Sequence, residues 1–122
     1  MTQPRRPLAV GLVGIGGFLG AVFRHAVTVS APSGAIGTLA VNVVGSFALG
    51  LLLSDAVVAG QVSNRTRLFL ATGVLSSFTT YSTFALEATT FSPPWALAYV
   101  SANIVLGLLA VVAGPLLVRW ST

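Results

Sequence analysis

The sequence has 122 residues, 55% of them hydrophobic and 7% charged, where a soluble domain carries about 25% charged residues, so it reads as an integral membrane protein. With no cysteine, one histidine and two acidic residues, it excludes a disulfide framework, a thiolate metal site and a cluster of metal-binding carboxylates. The net charge of +4 comes from six arginines, which stand at the ends of apolar blocks and so read as topology determinants and headgroup anchors, not as a nucleic-acid surface.

Four apolar blocks follow one another, over residues 8–30, 36–54, 68–91 and 95–120, each close to the roughly 20 residues a helix needs to cross the hydrocarbon core. The expected fold is all-α: a single membrane domain over residues 1–122 with four transmembrane helices. The first block is long, rich in glycine and carries Arg24 near its far end, so it reads as a first span and not as a cleaved leader. Gly16, Gly20 and Arg24 lie four apart, on one helix face. A tight connection with Pro32 and Gly34 follows. The second block repeats the spacing with Thr38, Asn42, Ser46 and Gly50. Small residues so spaced let membrane helices approach closely, and Gly16, Gly20, Gly45, Gly50 and Gly107 are read as packing positions. Asn42 asks for more, because its amide has two donor hydrogens and an acceptor oxygen to satisfy.

The third block departs most from a plain apolar helix. Ser76-Ser77-Phe78-Thr79-Thr80-Tyr81-Ser82-Thr83-Phe84 sets six Ser and Thr hydroxyls among rings in mid-span, where an unpaired polar group costs several kcal/mol. These weak helix formers also compete for backbone hydrogen bonds. A break is expected near Ser76–Thr80, tolerable at membrane depth only where protein covers it or a wet cavity borders it. Pro93 and Pro94 mark the last connection, and the fourth block carries Tyr99, Asn103 and Gly107 on one face. Four spans bring both termini and the middle loop, residues 55–66, to one side. Arg5, Arg6, Arg65, Arg67 and Arg119 fall there, against Arg24 on the other, which predicts cytoplasmic termini in the cell membrane.

Group transfer needs a nucleophile, a base and an orienting group. His25, the single histidine, adjoins Arg24 at a span end with no carboxylate near it in sequence, so no enzyme is expected. Passage of an ion or solute remains. Ser82, Thr83, Asn42, Asn103 and Tyr99 can all donate hydrogen bonds, and the ring edges of Phe78, Tyr81 and Phe84 add weak positive potential. Glu87 is the one carboxylate well inside a span; it cannot form the acidic ring of a cation channel and reads as paired with a neighbour. Donors without fixed charge suit a small, strongly hydrated anion. The alternative among four-span proteins, a small multidrug-type cation/proton antiporter, needs an early mid-membrane carboxylate, and none precedes Asp55.

Over nearly the whole chain these residues resemble the CrcB/Fluc fluoride channel family. The likeness is carried by residues 16–24 (Gly-Gly-Phe-Leu-Gly-Ala-Val-Phe-Arg), 37–47 (Gly-Thr-Leu-Ala-Val-Asn-Val-Val-Gly-Ser-Phe), 73–84 with its ending Thr-Thr-Tyr-Ser-Thr-Phe, and 99–107. The resemblance implies a passive fluoride channel: HF enters as a neutral weak acid, dissociates inside, and the anion needs a path out. It implies an antiparallel dimer with two pores and a central structural Na⁺ that is not transported, held by the backbone carbonyls of Ser76 and Thr79. By position, Tyr81 and Phe84 stand for two pore phenylalanines and Asn42 for the pore asparagine. Ser82, Thr83, Tyr99 and Asn103 match the polar track, and Arg24 matches a vestibule arginine.

The chain departs from the family twice, with Ser76-Ser77 where Gly-Gly is usual and Tyr81 where Phe is usual. Glycine takes unusual backbone angles freely and serine does not, which bears on the Na⁺ site; a phenol at Tyr81 could donate to the ion or narrow its path. An antiparallel homodimer also needs a chain that inserts both ways. The five-to-one arginine bias therefore sets a second arrangement beside the antiparallel homodimer, a heterodimer with an oppositely oriented sister chain, since the family includes paired members. A nonconducting subunit that only pairs is the remaining reading.

Overall fold

The computed structural model describes residues 3–54, 60 and 62–121; Asp55 and most of the middle loop lie outside the described residues. Among the described residues the α-helices are, in order, α1 (Arg6–Ser30), α2 (Gly34–Leu52), α3 (Asn64–Arg67), α4 (Ser76–Phe78), α5 (Ser82–Ala88) and α6 (Pro93–Ser121), with a π-helical segment, Leu68–Leu75, joining α3 to α4. No strand occurs among the described residues. α1, α2 and α6 are each long and apolar enough to cross a membrane. The third apolar block is divided among the shorter pieces from Asn64 to Ala88.

Local chemistry explains most of the boundaries. α1 opens with Pro7 in its first turn, where the missing N–H would have had no helical partner anyway. Ala31 is extended (ψ 155°), and Ser33 caps α2 by accepting from the Ile36 N–H at 3.3 Å. The prolines of the last connection correct the expected boundary: Pro93 and Pro94 begin α6 instead of preceding it, as prolines in a first turn can.

Glycine sets how closely the helices approach. A Cβ on Gly16 would stand 2.6 Å from the Phe69 carbonyl oxygen, and one on Gly20 would stand 3.1 Å from the Phe78 nitrogen and collide with the Val74 carbonyl. α1 and the third block thus meet backbone to backbone and run parallel. α2 and α6 are parallel as well: Asn42 reaches Asn103, Gly50 lies against the Val111 carbonyl, and a Cβ on Gly114 would be 2.8 Å from the Leu51 nitrogen. Pro115 stands inside α6 and has no N–H to return to Val111 four residues earlier. The carbonyl so released is the one packed on Gly50. Gly107 is less constrained, since a Cβ there would lie at an ordinary 3.6 Å from Ser46 Oγ.

These registers bring Arg5, Arg6, Arg65, Arg67 and Arg119 to one end of the bundle and Arg24 to the other. The interior is small and partly polar, with Val41 and Ala110 buried beside Thr38, Ser54, Thr80 and Asn103. Many large apolar side chains, Phe18, Val22, Leu97, Leu108 and Leu109 among them, are exposed. Such a surface belongs against lipid or another protein chain.

The close crossings yield a direct comparison. Gly20→Val should destabilise the detergent-solubilised protein by about 1–3 kcal/mol through overpacking, lowering its thermal midpoint. Gly14→Ala, with nothing within 4 Å of the added methyl, should leave the midpoint unchanged; equal midpoints for the two variants would contradict the packing described.

Candidate functional site

Where the third block leaves the helix after Phe78, hydroxyls and one amide take over the backbone's hydrogen bonds. The Ser76 N–H reaches back five residues to the Ala71 carbonyl, the wider π spacing. Ser76 Oγ donates to the Thr72 and Gly73 carbonyls. Both the N–H and the hydroxyl of Thr79 go to the Leu75 carbonyl, each at 3.0 Å. Thr79 is then extended (φ −79°, ψ 155°), and helix resumes at Ser82.

In a continued helix the Thr80 N–H would return to the Ser76 carbonyl. It donates instead to Asn42 Oδ1 at 2.8 Å, while Asn42 Nδ2 donates to the Thr80 carbonyl at 3.1 Å. One side-chain amide therefore serves both backbone groups of a buried residue, which would otherwise lack partners at membrane depth. The Thr83 N–H, which would return to Thr79, donates instead to the Thr80 hydroxyl oxygen at 3.2 Å, just ahead of the Tyr81 cap of α5. Ser76 and Ser77 lie within the helical part, and Ser76 has ordinary right-handed angles (φ −64°, ψ −30°). No non-glycine residue among those described has a positive φ, so serine stands here without left-handed backbone.

A chain of polar contacts leads away from this point. Asn42 Nδ2 also donates to Asn103 Oδ1 at 3.2 Å, and Asn103 Nδ2 donates to the Tyr99 carbonyl at 3.0 Å. The Tyr99 hydroxyl donates to Glu87 Oε2 at 2.6 Å, and Thr38 Oγ1 donates to Glu87 Oε1 at 3.1 Å. Glu87 is thus paired, as its sequence position suggests. Rings run alongside: Tyr81 to Phe84 at 5.7 Å, Phe84 to Tyr99 at 5.6 Å and Tyr99 to Phe91 at 5.3 Å between centroids.

A groove of about 540 Å³ opens at the interruption, and its walls include Asn42, Ser76, Thr79, Tyr81, Phe84 and Asn103. The fold thus gathers six of the residues singled out from sequence. Ser82 and Thr83 are not on its wall, though Thr83 is tied to it through Thr80. Tyr99 stands behind Phe84. Arg24, half-buried on α1, lies outside the groove, and Phe78 borders a separate apolar hollow with Phe23 and Val27 instead of joining the other rings. Thr38, Thr80 and Phe91 take parts that the sequence did not assign. Thr38 has a visible signal in its place on the Asn42 stripe, whereas nothing in the pattern separates Thr80 from the other hydroxyls.

Comparison with known proteins identifies the family. A profile of the family described as "CrcB-like protein, Camphor Resistance (CrcB)" matches residues 11–115. The chain is 48% identical over 108 residues, 88% of its length and 84% of the other's, to a protein of Haloarcula marismortui named fluoride-specific ion channel FluC 1. It is 46% identical over 116 residues, 94% of its length and 98% of the other's, to a protein of Natronomonas pharaonis with the same name. A bacterial relative from Agrobacterium fabrum, named fluoride-specific ion channel FluC, is 43% identical over 119 residues, 90% and 95% of the two chains.

Removing the amide tests its structural share. Asn42→Ala leaves the buried Thr80 N–H and carbonyl without their partner, at about 1–3 kcal/mol for each unsatisfied group. The thermal midpoint in detergent should fall by several degrees, and an unchanged midpoint would show that Thr80 has other partners.

Proposed function

The chain belongs to the CrcB-like family, and from that premise we propose that it is a subunit of a fluoride-specific channel of the cell membrane, passing fluoride passively out of the cytoplasm. The observation that carries the reading is the groove, where amides, hydroxyls and ring edges gather with no basic side chain on the wall. A small anion that leaves water needs its lost hydrogen bonds replaced, and conduction needs the replacement to be weak enough to release it. Uncharged donors and the positive edges of aromatic rings meet both needs. Phe84, packed between Tyr81 and Tyr99, is the ring we assign to the passage, with Tyr81, Asn42 and Asn103 beside it and Ser82, Thr83 and Tyr99 continuing the polar track. Arg24, at the opposite end from the other arginines, is assigned to a vestibule.

The structural Na⁺ associated with the family fits the residues present. The backbone N–H groups that would close the ladder on the Ser76 and Thr79 carbonyls are engaged elsewhere, by Asn42 and by Thr80, and hard cations take oxygen ligands. These two carbonyls would hold the ion, and its charge would favour an anion nearby. A proton-coupled cation exchanger finds less support, since the one in-span carboxylate has both oxygens covered by hydroxyl donors.

A partner chain completes the groove. Tyr81 and Ser76, on its wall, are exposed in the single chain, and an antiparallel partner would cover them. With five arginines at one end and one at the other, the chain inserts in one direction, termini in the cytoplasm, so the partner of opposite orientation is a sister chain.

Two measurements test this. Liposomes containing the chain with its sister chain should release fluoride and not chloride, electrogenically, and Phe84→Ile should lower fluoride release by orders of magnitude with assembly intact; equal release from the variant would remove Phe84 from the passage. Because the sequence has no cysteine, Gln3→Cys gives a single site for an impermeant thiol reagent. Labelling is expected only from the cytoplasmic face, and equal labelling from both faces would show dual insertion.

A further inference from the structure

An anion that sheds water needs donor hydrogens to meet, and the groove has fewer to give than its composition suggests. An Asn side chain carries two such hydrogens and a hydroxyl one. Both hydrogens of Asn42 are spent, on the Thr80 carbonyl and on Asn103 Oδ1. The hydroxyls of Ser76 and Thr79 donate to carbonyls one turn back, and that of Thr80 donates to Thr83. Among the side chains on the wall, the uncommitted donors are the Tyr81 hydroxyl, one hydrogen of Asn103 and the Ser46 hydroxyl.

Tyr81 and Asn103 already have places in the passage, and Ser46 has none. It stands one helical turn past Asn42 on α2, about 5.4 Å toward the end that carries five arginines, and is partly buried on the groove wall. Thr28, Ser76 and Thr79 each return the hydroxyl hydrogen to the carbonyl four residues back, a common way for a helix to satisfy a hydroxyl. Ser46 makes no such bond, nor any other side-chain hydrogen bond. Its oxygen lies toward α6 at Gly107, where an added Cβ would come no nearer than an ordinary 3.6 Å, so the glycine leaves room beside the hydroxyl. The neighbouring wall is apolar, with Leu49, Ala71, Leu75 and Ile104. A hydroxyl without an acceptor is costly at this depth, and an ion in the groove would supply one.

We propose that Ser46 is a fluoride-binding residue: its hydroxyl donates to the ion on the cytoplasmic side of the interruption, one step before the free hydrogen of Asn103 and the Tyr81 hydroxyl. Asn42 stays in its structural bonds to Thr80 while the ion passes. The proposal rests on the fluoride-channel reading and deepens it by dividing the polar residues of the groove into those that hold the fold and those free to meet the ion.

Ser46→Ala removes the hydrogen without breaking a bond inside the chain. Fluoride efflux from liposomes of the assembled channel should fall about tenfold, the worth of one hydrogen bond to a charged group, while the thermal midpoint in detergent stays unchanged. Unchanged efflux would overturn the proposal. A midpoint that falls together with efflux would overturn it as well, since the hydroxyl would then be holding the structure.

A second readout is independent of conduction. The sequence has no cysteine, so Ser46→Cys supplies a single thiol of nearly the same shape. A small, charged methanethiosulfonate reagent should label it in the reconstituted channel, and more slowly in sodium fluoride than in sodium chloride at equal concentration. A thiol that stays unlabelled, or that labels equally fast in both salts, would show that this side chain does not face the ion's path. Failure of the channel reading looks different: native liposomes would then release no fluoride, whereas failure of the Ser46 assignment leaves native efflux intact.

Discussion

The amide of Asn42 stands in for a stretch of helix. Backbone groups at membrane depth have no water to turn to, and the residues from Thr79 to Tyr81 leave the helical ladder where the chain is surrounded by apolar spans. Oδ1 takes the Thr80 N–H and Nδ2 takes the Thr80 carbonyl, so one side chain supplies what two backbone partners would have supplied. The carbonyls of Ser76 and Thr79 are thereby left out of the ladder, and the groove opens beside them. Without this substitution the continuous helix would be the cheaper solution, and Tyr81 and Phe84 would have no groove to border.

Close glycine contacts make the substitution possible. Asn42 can reach Thr80 because Gly45, one turn on, lets α2 come up to the side chain of Thr79, and because the Gly16 and Gly20 contacts press the third block onto α1. The polar chain then runs from the interruption through Asn103 and Tyr99 to Glu87 and Thr38. Every member has a partner, which is what keeps so polar an interior from being a net cost. The same chain ties α2, α5 and α6 together, so the element that carries Phe84 is held by hydrogen bonds at both ends and by little apolar burial.

Much of this was legible in the sequence because membrane spans speak through composition. Four apolar blocks, glycines at spacing four and a hydroxyl-rich third block each follow from simple periodicity, and they gave the helices, the packing faces and six residues of the groove. The details that escaped depend on tertiary choice. Whether helix ends at Ser76 or at Phe78 turns on which carbonyl a hydroxyl takes, and Ser76 satisfies Thr72 and Gly73 while remaining helical. The π spacing of Leu68–Leu75 leaves no mark in its apolar residues. Phe78 and Phe84 look alike in the sequence, yet one faces an apolar hollow with Phe23 and the other the groove. Pro93 and Pro94 were ambiguous by nature, since proline both stops helices and starts them.

The most direct test of the central claim is residue-resolved amide hydrogen exchange at Thr80, measured in the native chain and in Asn42→Ala. If the Asn42 amide is what replaces the ladder, the Thr80 N–H is protected in the native chain and exchanges freely in the variant, while protection within α1 and α6 is unchanged. A Thr80 N–H equally protected in both would mean that the backbone keeps its own partner there, and the account of the interruption would be wrong.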